Sequence, residues 1–122
     1  MQIMAENIIK TKSFNFALRI VKLQQFLIFD KKEFVLSKQL LRSGTSIGAM
    51  VRESEHAESK LDFIHKLAIA QKEANESDYW LELLFQSQYL SEDQFQSLNL
   101  DIIQINKLLA SIIISTKNNL KK

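Results

Sequence analysis

Not one of the 122 residues is a proline, and only two are glycine. Both glycines, Gly44 and Gly48, stand four apart within residues 36–53, LSKQLLRSGTSIGAMVRE. A β protein needs turn punctuation that this chain lacks, so the fold class that follows is all-α. Two glycines inside a helix each give up about 1 kcal/mol relative to alanine. Close approach by another helix is the simplest compensation. Ser43, Thr45, Ser46 and Ala49 keep the same stretch narrow, while Leu36, Leu40, Ile47, Met50 and Val51 lay an apolar stripe beside it. Residues 36–53 therefore read as the central helix of a small bundle, with Gly44 and Gly48 as packing positions.

A chain of 122 residues makes one domain with room for a sizeable core. No cysteine is present, which excludes a disulfide framework, a thiolate metal site and a thiol nucleophile. The opening MQIMAENIIK has no apolar run behind a basic start, so no signal peptide is expected. The most apolar run, residues 108–114, is too short to span a membrane. A cytoplasmic location and no membrane partner are the expectations.

Net charge is only +2, but it is unevenly placed. Residues 1–52 carry nine Lys/Arg against three Asp/Glu, and residues 53–106 carry three against eleven. The last sixteen residues carry four bases and no acid. A basic front and an acidic middle suit complementary packing between subunits, or a polar face for an anion. The competing reading is a set of ordinary solvated helix faces.

Periodicity predicts four helices, over about 7–29, 33–53, 59–88 and 92–119. In the first, Phe14, Ala17, Leu18, Val21 and Ile28 follow helical spacing along one side. Phe16, Ile20, Leu23 and Leu27 follow it along nearly the opposite side. One apolar stripe suffices for a surface helix, so two predict burial on two sides. The second set, Phe16, Ile20, Leu23 and Leu27, is the candidate oligomer interface. Asp30 and Glu33 read as a capping box opening helix two, Ser59 and Asp62 as the start of helix three, and Ser91–Gln94 as that of helix four. Helix three has a core stripe of Phe63, Leu67, Ala70, Ala74, Leu81 and Phe85. Ile69, Trp80 and Leu83 lie on another side and join the interface candidates. Helix four shows Phe95, Leu98, Ile102, Ile105, Leu109, Ile112 and Leu120 on its core face. Short connections predict an antiparallel up-down-up-down four-helix bundle.

Catalytic chemistry finds little support in these residues. Glu53-x-x-His56 and Asp62-x-x-His65 have the spacing used by carboxylate-bridged di-metal bundles. They flank one loop at a bundle end, however, and helices one and four offer no carboxylate on their core stripes. No metal or cofactor is expected. Two glycines cannot build a phosphate loop or a dinucleotide fingerprint. What remains are basic edges: Lys12, Arg19 and Lys22 along helix one, and Lys38, Arg42 and Arg52 along helix two. Repeated around an oligomer, such edges would build a field for nucleic-acid phosphates. The alternative is that they pair with Glu73, Glu76 or Glu82 of helix three.

The run FVLSKQLLRSGTSIGA, then Glu53, then SKLDFIHKLAIAQKEANESDYWLELL, resembles the four-helix-bundle family of 23S rRNA intervening-sequence proteins. The resemblance extends from Phe14 to Leu90 and is strongest from Val35 to Leu84. It implies an antiparallel bundle that assembles as a ring-like homo-oligomer, typically a pentamer. It also implies kinship with the basic accessory proteins of diversity-generating retroelements, which bind nucleic acid and a reverse transcriptase. It implies no established activity. The family pattern usually has Asn and then an aliphatic residue after S-I-G-A, and Met50 stands here instead, which puts any role of that amide in doubt. The combined expectation is a non-enzymatic oligomer that binds RNA or DNA through the two basic edges. The alternative is a structural or protein-interaction scaffold with no nucleic-acid binding.

Overall fold

The structure is a computed structural model that describes residues 2–121. It has four helices and, among the described residues, no strand: α1 (Gln2–Phe29), α2 (Leu36–Ser54), α3 (Lys60–Gln86) and α4 (Glu92–Leu120). α1 packs against α2 and α4, and α3 packs against the same two. Among the described residues the backbones of α1 and α3 do not approach closely, nor do those of α2 and α4. All four helices contribute to one core, to which the largest fully buried side chains belong, among them Phe16, Leu40, Leu67 and Leu109.

The ends of α3 and α4 follow local chemistry visible in the sequence. Ser59 caps α3 by accepting from the Asp62 N–H at 3.0 Å. Ser91 and Gln94 form a reciprocal box at the start of α4, at 3.1 and 2.9 Å. Two starts differ from expectation. α1 begins at Gln2 rather than near residue 7, and the Gln2 amide reaches Thr116 and Ser115 of α4 at 3.1 and 3.0 Å. Asp30 does not cap α2. Its start falls at Leu36 because the Glu33 carboxylate takes the N–H groups of Val35, Leu36 and Ser37 at 3.0, 3.0 and 2.7 Å. Those are donors that the first turn of a helix cannot satisfy internally.

The two glycines face α1. A Cβ on Gly44 would stand 2.9 Å from Cγ1 of Ile20, and one on Gly48 would stand 3.3 Å from the Ser13 carbonyl oxygen. On its other flank α2 meets α3 through small groups, where the Ser77 hydroxyl donates to Ser43 Oγ at 2.9 Å.

Helix one is inverted relative to the sequence expectation. Phe16, Ile20, Leu23 and Leu27, the candidate interface residues, are buried in the core. Phe14, Leu18 and Val21 are exposed instead, at 49, 48 and 37 %. The physical reason is the seat on α2: the side of α1 that meets Gly44 and Gly48 carries Ile20 and Ser13. The α3 stripe is as expected at Leu67, Ala70, Ala74 and Leu81, whereas Phe63 and Phe85 are half-buried at its edge. The α4 stripe holds from Leu98 to Ile112, with Phe95 half-buried and stacked on Phe85 at 4.7 Å. Leu120 is exposed, since the last turn of α4 runs past the core.

By length and composition α4 is apolar enough to cross a membrane. The run at residues 108–114 is too short by itself to show this, because the apolar character extends over a longer part of the helix. In the structure the Leu98–Ile112 side of α4 lies in the shared core.

Candidate interaction surfaces

The six basic candidates split into two groups. Arg19 reaches across to α4, where its guanidinium pairs with Asp101 at 2.5 Å and donates to Ser97 Oγ at 2.8 Å. Arg42 reaches to α3 and lies between Glu73, at 3.2 Å, and Glu76, to which it also donates a hydrogen bond. Lys12 donates to the Gln104 side chain of α4 at 2.6 Å. Among the described residues Lys22, Lys38 and Arg52 enter no salt bridge. The Arg52 guanidinium instead lies over the Phe14 ring, 5.6 Å from its centre.

Arg42 belongs to a compact polar group on the α2–α3 edge. The Trp80 indole N–H donates to Glu76 at 3.1 Å. That bond, joined by those from Arg42 and opposed by burial, holds the Glu76 carboxyl below the usual carboxylate range. Glu76 in return raises the Arg42 pKa above its ordinary value, against partial burial and with help from Glu73. The pairing of the α2 arginine with Glu73 and Glu76 is the alternative weighed from the sequence. Glu82 is exposed and takes no part in it. Trp80, Ile69 and Leu83 are all half-buried, so the α3 side expected to meet a neighbour is only partly open.

α1 presents a different kind of surface. Thr11, Phe14, Leu18, Val21, Gln25 and Ile28 recur at alternating spacings of three and four along its outer side. None of them ionises. This is the repeat by which a helix keeps one seam toward a partner helix. All but half-buried Ile28 are exposed. An exposed helix side with no charge over five turns is unusual for a surface that meets only water. The Gly48 notch continues this side onto α2, as a shallow groove lined by Phe14, Ala17, Thr45 and Ala49, with Lys10 and Arg52 as its charged members.

The residues weighed for a di-metal site are spent elsewhere or lie in solvent. Glu53 pairs with Lys66 at 3.5 Å, and Asp62 accepts from the Glu58 N–H at 3.1 Å. His56 and His65 are exposed. Among the described residues no three His, Asp or Glu side chains come together as a metal site would require. Met50, at the position where the resembled pattern has Asn, packs half-buried against the core.

A model of the family described as 23S rRNA-intervening sequence protein matches residues 5–111. The chain belongs to that family. A solved structure, described as a protein with unknown function from the S23 ribosomal protein family of Bacteroides thetaiotaomicron VPI-5482, is 59 % identical to this chain. The likeness covers 89 % of this chain and 97 % of that one, with a TM-score of 0.89. A comparison with curated proteins finds no match. Membership in the 23S rRNA intervening-sequence family therefore brings a four-helix fold and no assigned activity.

Proposed function

We propose that the protein is a non-enzymatic homo-oligomeric scaffold built on an up-down-up-down four-helix bundle. The topology is supported by the order of contacts between neighbours. Gln2, Lys12 and Arg19 of α1 meet Thr116, Gln104 and Ser97 of α4, so the partner number falls as the α1 number rises. Arg42 and Glu53 of α2 meet Glu76 and Lys66 of α3 in the same reversed order. The observation that carries the scaffold reading is the uncharged, exposed outer side of α1, which buries its apolar residues only if another protein surface covers it. A ring, and five subunits in it, come from the family resemblance alone. A single domain and a cytoplasmic location complete the reading.

Sedimentation of the purified chain at micromolar concentration tests the assembly. A mass of two or more times 14.2 kDa is expected, and a species at 14.2 kDa itself would defeat the proposal. A second reading is favoured by one observation: among the six basic candidates, Lys22, Lys38 and Arg52 enter no salt bridge among the described residues. In that reading the oligomer also binds RNA or DNA, and its cationic edges repeat with each subunit. Lys12, Arg19 and Arg42 lie on the same edges but are already engaged within the chain. The order of preference drawn from sequence is thus reversed: the scaffold comes first and nucleic-acid binding second.

A further inference from the structure

α1 is not alone in showing uncovered apolar residues. On α4, Leu100 and Ile103 are also exposed, three residues apart on one side of the helix, with Lys107 marking the end of that strip. The two strips have borders of opposite sign. On the α1 side, Arg52 of α2 lies over the Phe14 ring, Lys38 stands about four helical turns before Arg52 on the same side of α2, and Lys22 follows Leu18 by one turn. All three are exposed and, among the described residues, outside the salt bridges. On the α4 side, Glu92 and Asp93 stand about two turns before Leu100, and Glu82 of α3 follows by one turn the Asp78 to which Asn99 donates. These acids, Glu82, Glu92 and Asp93, are exposed and, among the described residues, outside the salt bridges.

We propose that the outer side of α1 in one copy packs against the Leu100–Ile103 strip of α4 in a second copy, head to tail. Lys22, Lys38 and Arg52 then lie opposite Glu82 and Asp93. This rests on the homo-oligomer reading above and names the two faces that meet. A symmetrical α1-to-α1 pairing would set one cationic border against another, and like charges across an interface oppose association. A nucleic acid or an anionic membrane would pair with the border cations but leave the uncharged middle of α1 facing phosphates. Only an apolar, acid-edged surface matches both parts, and this chain carries one. Contact between two different faces is heterologous, so it propagates from copy to copy and ends by closing a ring or running on as a filament. The corrected α1 orientation is essential here, since Phe16, Ile20, Leu23 and Leu27 are unavailable to any neighbour.

Complementation between two variants tests the pairing. Leu18→Asp removes the α1 face and keeps the α4 strip, while Leu100→Asp does the reverse. Both residues are exposed, and far-UV circular dichroism checks that each variant keeps its helices. Each variant alone is expected at protomer mass, and an equimolar mixture is expected to form a species of twice that mass and stop there. Leu18→Gln with Leu100→Gln repeats the test more gently if an aspartate unfolds the chain. Wild-type protein that is monomeric defeats the oligomer reading and this inference with it. An oligomeric wild type defeats the inference alone in three cases: Leu18→Asp still assembles, only Leu100→Asp does, or both are folded monomers that never pair.

Discussion

Ile20 and Gly44 illustrate how a single missing Cβ orients a whole helix. Ile20 is fully buried and β-branched, and its Cγ1, Cγ2 and Cβ would stand 2.9, 3.0 and 3.3 Å from an added methyl. Such a side chain has little rotamer freedom with which to move aside. Gly44→Ala is therefore expected to lower stability even though alanine gains about 1 kcal/mol in helix propensity, because overpacking typically costs ~1–3 kcal/mol. At Gly48 the added atom would meet the Ser13 carbonyl at 3.3 Å, tight but short of a clash. Gly48→Ala should therefore lie within about 1 kcal/mol of wild type, where the propensity gain offsets the crowding. Gly48→Leu, whose branches would run into the α1 backbone, should cost at least ~1–3 kcal/mol. Thermal melts of the three variants check the order; a Gly44→Ala protein as stable as wild type would mean that α1 does not sit where the contacts put it.

At the scale of the elements, the glycines a turn would use are spent inside α2, and the turns make do without them. Gln88 follows α3 with φ of 72°, and Lys32 lies between α1 and α2 with φ of 56°. After α3 the Tyr89 N–H bonds to the Leu84 carbonyl at 2.9 Å and the Gln88 N–H to that of Phe85 at 3.0 Å, a helix ending that ordinarily takes glycine at the left-handed residue. Gln88→Gly should therefore stabilise the chain by ~0.5–1 kcal/mol, the relief of left-handed strain exceeding the extra entropy of the unfolded glycine; chemical denaturation measures it. Before α2 the buried Glu33 carboxylate performs the cap. Burial acts to raise its pKa, but the N–H groups of Ser37, Leu36 and Val35 outweigh burial and hold it below the usual carboxylate range. A carboxyl whose folded pKa is depressed stabilises the fold above its unfolded pKa, and that contribution disappears as pH falls through the folded value. Glu33→Gln should thus destabilise the protein at pH 7 and flatten the loss of stability on acidification below about pH 4.5. An unchanged acid limb would mean that the carboxylate charge does not matter at this cap.

Helix existence and type were legible because the helices are long and periodic, and the Ser59 and Ser91 caps because their side chains act on the nearest turn. The start of α2 was not, since Glu33 caps from three residues before the helix rather than from the expected Asp30 position. Which side of α1 turns inward was likewise ambiguous, because both sides carry large apolar residues. One signal was available. From Phe16 to Leu27 the inner side carries only large apolar side chains, and its one small polar member, Ser13, sits against Gly48, whereas the opposite seam is interrupted by Thr11 and Gln25. A core tolerates such interruptions poorly, since each buries a polar group that then needs a partner. An interface rim does not have that restriction.

At the scale of the whole molecule, charge is where sequence reading and structure diverge most. A count gives residues 1–52 six more cations than anions, but Arg19 and Arg42 are neutralised by carboxylates on α4 and α3, which lie far away in the chain. No periodicity within α1 or α2 reveals such partners. Exposed pairs of this kind add only ~0.2–1 kcal/mol each to stability, yet they remove two charges from any field offered to a polyanion. The nucleic-acid reading therefore rests on Lys22, Lys38 and Arg52. If it holds, RNA or DNA retention by the assembled protein at low salt should fall steeply with ionic strength, and Lys22→Glu with Lys38→Glu should abolish it while the variant still sediments as an oligomer. Arg19→Glu with Arg42→Glu should weaken it far less, because those charges are already balanced, though it should lower thermal stability by setting new acids against Asp101, Glu73 and Glu76. A polyanion that binds without salt dependence would contradict a phosphate-driven contact. Absence of binding by a verified oligomer at low salt leaves the scaffold as the function, with Lys22, Lys38 and Arg52 serving the contact between copies.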